Sequence, residues 1–188
     1  MSHRAGLAQA SVVEAAAKLV DEEGIEQLTL GHLAERLGIK TPSLYNHVEG
    51  LPGLKHELTL YCLRDVMERI TRATIGKSRA EAIFAFADTY RAYAREMPGR
   101  YAFTLRAPEP GDQEVEAIAR QLVGIIAAVL APYRLSEEDT IHAIRSLRSI
   151  VHGFISLEAT GGFAMPIDLD ASFHWLINMF IAGLPQPT

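Results

Sequence analysis

Apolar residues recur along most of the chain at the three- and four-residue spacing of amphipathic helices, and no segment shows the alternation of a half-buried strand. At the N-terminus this pattern predicts a helix over residues 7–22 that ends at Gly24. Two short helices are predicted next: one follows Thr29, and the other covers residues 42–48. We therefore expect an all-α fold that begins with a three-helix domain.

A tight turn joins the two short helices. Thr29 is a favourable N-cap for the first helix, and Gly38 can take the positive φ that ends it. Thr41 is predicted to cap the second helix, with Pro42 in the first turn, where its missing N–H costs nothing. The small side chain of Ala34 allows the helices to approach closely. These features are typical of a helix-turn-helix.

The second short helix has a polar outer face. Leu44 and Val48 lie four residues apart and are expected to point inward, which leaves hydrogen-bonding side chains on the face that would enter a DNA major groove. The helix N-termini at Thr29 and Thr41 offer free N–H groups to phosphate. The candidate DNA-binding residues are Thr29, His32, Lys40, Thr41, Pro42, Ser43, Tyr45, Asn46, His47 and Lys55.

The rest of the chain also has a helical pattern, which predicts a small DNA-reading domain of residues 1–50 and a larger helical domain of residues 51–188. Ser136 and Asp170 are predicted to cap the last two helices. The further helices are predicted over residues 54–73, 80–97, 100–105, 114–130, 136–159 and 171–182, with a proline- and glycine-rich loop over residues 107–112.

The last two predicted helices are more apolar than the surface of a monomer. Two wide apolar faces close together at the C-terminus predict a two-helix dimerisation surface, which a twofold axis turns into a four-helix bundle. The candidate interface residues are Val151, Phe154, Ile155, Phe173, Ile177, Phe180 and Ile181.

Residues 11–54 resemble the N-terminal domain of the TetR family of transcriptional regulators, and the most specific element is Leu44-Tyr45 followed by His47. The resemblance implies a cytoplasmic homodimeric repressor that binds a palindromic operator in double-stranded DNA. It also implies that a small apolar ligand releases the repressor from this operator. The other matching pieces are residues 13–20, Gly24, 28–29, 33–34, 37–39 and 42–48.

A second resemblance lies near the C-terminus. Residues 145–163 are similar to the C-terminal domain of one TetR subgroup, in which a His-Gly pair and a following Gly-Gly pair recur. Here these pairs are His152-Gly153 and Gly161-Gly162. The C-terminal domain is therefore expected to bind the ligand and to form the dimer.

The chain departs from the family pattern after the recognition helix. A lysine that contacts a phosphate is common there, whereas this chain has Leu51 followed by Pro52. Lys55, one helical turn further along, and Lys40 are the two candidate replacements.

In the family, ligands bind between the middle helices, so the resemblance implies a mostly apolar pocket with a few polar anchors. Packing of the protein core is the alternative role for each aromatic residue there. We expect a polar role for Arg148, because a buried arginine needs a partner, which Glu158, Glu109 or a ligand carboxylate could provide. The candidate ligand-binding residues are Tyr90, Tyr93, Met97, Tyr101, Phe103, Arg148 and His152.

The net negative charge of the chain argues mildly against DNA binding. The 188-residue chain has a net charge of −5, and residues 1–50 contain four basic and seven acidic residues. An acidic reading domain predicts few phosphate contacts and a modest affinity that salt weakens.

A rival hypothesis is a helical protein-interaction, metal-binding or enzyme-like protein whose helix-turn-helix no longer reads DNA. No compact metal or catalytic motif supports it, because His142 and His152 are ten residues apart, so we expect no enzyme activity, no metal and no cofactor. Cys62 is the single cysteine, which fits a reducing cytoplasm. No unbroken apolar run has the length of a membrane span, and the first residues lack a signal-peptide core, so no membrane partner is expected.

Overall fold

The structure, a computed structural model, describes residues 8–185. Within these residues the regular elements are α-helices and two 3-10 turns, Ile25–Gln27 and Ala131–Tyr133, with no strand, which confirms the all-α fold class. The helices are α1 (Gln9–Glu23), α2 (Leu30–Arg36), α3 (Thr41–Leu44), α4 (Gly50–Thr74), α5 (Arg79–Glu96), α6 (Pro98–Phe103), α7 (Gln113–Leu130), α8 (Glu137–Ala159) and α9 (Leu169–Ala182).

Most helix ends lie within two residues of their predicted positions, although the predicted start at Leu7 falls outside the described residues. The exceptions are the start of α4 at Gly50, four residues before its predicted position, and the end of α3 at Leu44, four residues before its predicted position. The predicted cap of the last helix was also wrong. Asp168, not Asp170, caps α9, because its side chain accepts a hydrogen bond from the backbone N–H of Asp170 at 2.8 Å.

The described chain divides into two compact units. The first contains residues up to Asp65 together with Met97–Ile118, and the second contains Val66–Glu96 together with the residues from Ala119 onward. The unit that holds α2 and α3 therefore extends past the predicted boundary at residue 50, because α6 returns to pack against α1.

An apolar core holds the first unit together. The α1 face that contains Val12, Ala16 and Leu19 is fully buried, and Leu54 and Leu58 of α4 are buried in the same cluster. Burial of side chains of this size contributes about 1.5–3 kcal/mol each relative to exposure. The helix-turn-helix is therefore part of a core that α1 and α4 complete.

The helices α6 and α1 approach so closely that only glycine fits at one position. A Cβ atom on Gly99 would lie 2.1 Å from the carbonyl oxygen of Val20. Next to this contact, the Arg100 Nε atom lies 2.8 Å from Asp21 Oδ2, and the Arg100 backbone N–H donates to Asp21 Oδ1 at 2.9 Å. Burial raises the pKa of Asp21, and the hydrogen bonds and charge of Arg100 oppose this shift. The contact therefore combines close backbone packing with a half-buried ion pair.

A buried arginine organises the second unit. Arg91 of α5 is 5% exposed and donates to Glu158 of α8 through Nε at 2.9 Å and Nη2 at 2.6 Å. Its Nη1 atom lies 2.8 Å from Asp170 of α9, and its guanidinium stacks over the rings of Phe154 and Phe173. The hydrogen bonds from Arg91 lower the pKa of Glu158, so this carboxylate stays charged at neutral pH. One side chain thus joins α5, α8 and α9.

The segment Gln113–Tyr133, which contains α7, has the length and mean hydropathy (1.6) that a membrane-spanning helix requires, with 28% of its apolar window buried. Glu114, Glu116 and Arg120 interrupt it, so average hydropathy and not an unbroken apolar run meets the criterion. Core helices of soluble proteins meet it as well.

Replacement of Gly99 by alanine tests the contact between α6 and α1. The new methyl group would overlap the Val20 carbonyl, so we expect the free energy of unfolding to fall by about 1–3 kcal/mol in urea denaturation. Gly31→Ala is the matched control, because nothing lies within 4 Å of its added Cβ. It should raise stability by about 0.5–1 kcal/mol through the better helix propensity of alanine. Equal effects of the two variants would show that α6 does not pack on α1.

Candidate nucleic-acid interface

The turn between α2 and α3 forms by local hydrogen bonds, as predicted. The Thr29 hydroxyl accepts from the backbone N–H of His32 at 3.2 Å, which confirms Thr29 as the N-cap of α2. Gly38 has the expected left-handed φ of 65°. The Ile39 N–H then donates to the carbonyl of Ala34 at 3.0 Å and closes the turn. These bonds fix the angle at which the chain enters α3.

The second short helix differs from its prediction in two respects. Its first turn closes on Lys40, whose carbonyl accepts from Ser43 N–H at 2.8 Å, so Thr41 is the first helical residue and not the N-cap. The regular helix ends at Leu44, and the predicted extension to Val48 consists of turns. A bond of 3.0 Å from Val48 N–H to the Leu44 carbonyl preserves a helical path through these turns.

The inward and outward faces of this segment agree with the prediction. Leu44 is fully buried and Val48 is 6% exposed, whereas Tyr45 is 62% exposed. Pro42, Ser43 and Asn46 are exposed as well, while Thr41 and His47 are half-buried. The segment therefore presents hydroxyl, amide and imidazole groups next to one another above a buried apolar side.

The position of the missing lysine has a structural explanation. Leu51, in the first turn of α4, packs against the core of the first unit, so its side chain contributes to folding. The two candidate replacements, Lys40 and Lys55, are both exposed. Neither forms an ion pair with any residue between 8 and 185, so both remain available to a phosphate.

His32 and Arg36 of α2 lie within ion-pair distance of the glutamates at the end of α1. The His32 Nε2 atom lies 3.3 Å from Glu23 Oε2, and Arg36 pairs with Glu22 and with Glu23, the latter at 3.0 Å. Hydrogen bonding to Glu22 is the largest cause that raises the pKa of Arg36. The sequence pattern did not indicate these pairs, which join residues nine to fourteen positions apart.

The candidate ligand-binding residues do not belong to one unit. Tyr90, Tyr93, Arg148 and His152 lie in the second unit, and Met97, Tyr101 and Phe103 lie in the first. All four aromatic residues among them are at most 8% exposed, so they contribute to core packing in their own units.

The choice of Arg148 as a buried arginine was wrong. Arg148 and its neighbour His152, one turn along α8, are both exposed. The buried arginine is Arg91, and Glu158 is its partner. A signal was available in the sequence, since Arg91 lies four residues after Ala87 and three before Ala94 and therefore shares a helix side with these apolar residues.

The second unit has an open groove of about 410 Å³ on α4 and α5. Arg69 lines it, with Nη1 3.3 Å from Glu96 Oε2 and the guanidinium 5.4 Å from the ring centre of Tyr93. Tyr93 is the only candidate ligand-binding residue in its lining, which comprises Arg69, Arg72, Ala73, Thr89, Ala92, Tyr93 and Glu96.

The candidate dimer residues also need correction. Five of the seven, Val151, Phe154, Ile155, Phe173 and Ile177, are at most 7% exposed within a single chain, because they pack around Arg91 and against neighbouring helices. Phe180 and Ile181 are half-buried. The large apolar residues that α8 and α9 leave exposed are Ile141, Leu157, Trp175 and Met179.

Between residues 8 and 185, no group of three or more His, Cys, Asp or Glu side chains is arranged to hold a metal ion.

Sequence comparisons decide the family. Residues 12–47 match the family model described as bacterial regulatory proteins, tetR family. Residues 83–180 match the model described as tetracyclin repressor-like, C-terminal domain. The chain belongs to the TetR family. It is therefore a transcriptional regulator of a DNA-binding, non-enzymatic class.

Relatives of this TetR-family regulator match over most of their length. An uncharacterized HTH-type transcriptional regulator of Mycobacterium tuberculosis is 37% identical over 98% of this chain and 84% of its own. The HTH-type regulator YobS of Bacillus subtilis is 33% identical over 98% of this chain and 96% of its own. The fold is similar to that of a TetR variant of Acinetobacter baumannii in complex with minocycline, with a TM-score of 0.69, 23% identity and coverage of 94% and 96% of the two chains.

Two neighbouring substitutions test the orientation of the segment after Thr41. Leu44→Ala should lower the free energy of unfolding by about 2–5 kcal/mol, because it leaves a cavity in the core. Tyr45→Ala should leave the free energy of unfolding nearly unchanged and weaken DNA binding in a mobility-shift titration. A stable Leu44→Ala together with an unfolded Tyr45→Ala would show that the helix faces the other way.

Proposed function

We propose that this TetR-family regulator is a homodimeric repressor that binds a palindromic operator and that a small apolar ligand releases it. The observation that carries the DNA-binding part is the two-sided segment from Thr41 to Val48, in which a fully buried Leu44 stands next to a 62% exposed Tyr45. A polar face on a rigidly packed helix is what direct readout of base edges in the major groove requires. Such a repressor acts in the cytoplasm, where its operator lies.

The candidate DNA contacts divide into two roles. Ser43, Tyr45, Asn46 and His47 would read base edges. The backbone contacts would come from Thr29, His32, Thr41 and Pro42 at the helix starts and from Lys40 or Lys55, the two candidate replacements for the missing lysine at Leu51. With so few cations, affinity should be modest and salt-sensitive.

The proposed dimer interface consists of the exposed apolar side chains of α8 and α9. Trp175 and Met179 lie one turn apart on α9 and are 65% and 56% exposed, and Ile141 and Leu157 of α8 are about half exposed. Side chains of this size are seldom left in water in such numbers, and their burial in a twofold contact would form a four-helix bundle.

The ligand part of the proposal is supported by the structural relative that binds minocycline and by the groove on α4 and α5. A ligand changes DNA binding only if its affinities for the DNA-competent and released conformations differ. Of the candidate contacts, the proposal retains Tyr93, which lines this groove within the second unit.

The dimer is tested by Trp175→Glu. The wild-type protein should sediment as a dimer at micromolar concentration, and the variant should sediment as a folded monomer, because dimerisation would bury an unpaired carboxylate. Ile75→Glu is the matched control, since Ile75 is similarly exposed (71%) on the turn after α4. If Trp175→Glu remains a dimer, α9 does not form the interface.

The ligand part predicts reciprocal coupling. For a compound recovered by a thermal-shift screen of apolar metabolites, isothermal titration should give an affinity about 5- to 150-fold lower with operator present than without it. A duplex of scrambled sequence is the control and should leave the ligand affinity unchanged. Equal affinity in the operator and scrambled titrations would mean that the compound binds without releasing the repressor.

A further inference from the structure

Two glutamates, an arginine and a histidine form a cluster where α1 ends beside α2. Glu22 and Glu23 are the last two residues of α1, and both pair with Arg36 of α2. Glu23 also lies 3.3 Å from His32, which precedes Arg36 by one helical turn on the same face of α2. All four side chains are partly exposed to solvent, with 29% exposure for Arg36 and 56% for Glu22.

The location of this cluster on α2 places it where a helix-turn-helix contacts the DNA backbone. In a helix-turn-helix the first helix crosses the DNA backbone, and phosphates are contacted there by basic side chains. The Arg36 guanidinium and the neighbouring His32 imidazole are therefore suited to phosphate, yet the structure shows both engaged by carboxylates.

We propose that Glu22 and Glu23 compete with DNA phosphate for Arg36 and His32 and thereby limit the affinity of the regulator for its operator. The inference rests on the proposed DNA binding and adds an intramolecular competitor to it.

The ion pairs of this cluster are not needed to hold α1 against α2. Val20 at the end of α1 and Leu33 and Ala34 of α2 are at most 1% exposed, so apolar packing holds the two helices together. Exposed ion pairs contribute little to folding stability in water. A phosphate can therefore displace the carboxylates without unfolding the domain, and the competition is between two similar anions.

The other cations of the region show why this competition matters. Among the described residues before Gly50, Lys18 is paired with Glu14 at 3.0 Å and Arg36 with Glu22 and Glu23, which leaves Lys40 without an ion pair. Each additional phosphate contact steepens the dependence of log affinity on log salt by about 0.9. Release of Arg36 would be a large change for an interface that has so few cations.

The test compares two double variants of equal charge. Glu22→Gln with Glu23→Gln frees Arg36 and His32. Glu26→Gln with Glu35→Gln makes the same change in net charge in the same unit, at carboxylates that form no ion pair within residues 8–185. Fluorescence anisotropy measures their affinity, between about 50 and 200 mM salt, for a duplex that the wild-type protein selects from a random-sequence pool.

We expect the first variant to bind about fivefold to tenfold more tightly than the second at the lowest salt, with a salt slope steeper by about 0.9. This difference should disappear when both variants also carry Arg36→Gln, because the freed cation is then absent. Circular dichroism melting should show that all variants remain folded.

Several results would overturn the proposal. Equal affinities and salt slopes for the two double variants would show that only the change in net charge affects DNA binding. A difference that persists with Arg36→Gln would show that a group other than Arg36 causes it. If the Glu22 and Glu23 variant unfolds, these carboxylates hold the fold instead of competing with DNA. A wild-type protein that selects no duplex would overturn the proposed function as well, whereas the other results leave DNA binding intact.

Discussion

The packing of Leu33, Ala34 and Leu44 against α1 determines how the chain presents its polar face. These three side chains are at most 1% exposed, so α2 and α3 cannot rotate without opening the core. The small side chain of Ala34 and the left-handed Gly38 allow the two helices to meet in a short turn. Because Leu44 must point inward, Tyr45 must point outward, and the orientation of the proposed reading face follows from the burial of an apolar one.

The constraint in the second unit is a buried charged side chain, whereas in the first unit it is a set of buried apolar side chains. Arg91 can stay 5% exposed only because Glu158, Asp170 and two aromatic rings surround its guanidinium. This network uses the inner faces of α8 and α9. The remaining apolar side chains, with Trp175 and Met179 among them, are left outside, where a second copy of the chain can cover them.

Short-range features were predictable from the sequence. The Thr29 cap and the turn at Gly38 depend on neighbours within a few residues, and both are present. Features that depend on residues far apart in the sequence were not predictable from it. A heptad-like apolar face on α8 can pack within its own chain or against another, so periodicity did not show that Val151, a candidate interface residue, is buried within its own chain. The pairing of Arg91 with Glu158 spans 67 positions, and that of Arg36 with Glu22 spans 14.

The central claim is that the outward face of the segment after Thr41 enters the major groove of a twofold-symmetric site. A photo-crosslinking phenylalanine analogue at position 45, with the protein bound to a duplex that it has selected, tests this claim most directly. The account predicts crosslinks to bases at two dyad-related positions about 34–36 Å apart or a multiple of that distance, and none from the same analogue at position 75, an exposed residue of the second unit. Crosslinks at only one position on the duplex, or equal crosslinking from both protein positions, would contradict it.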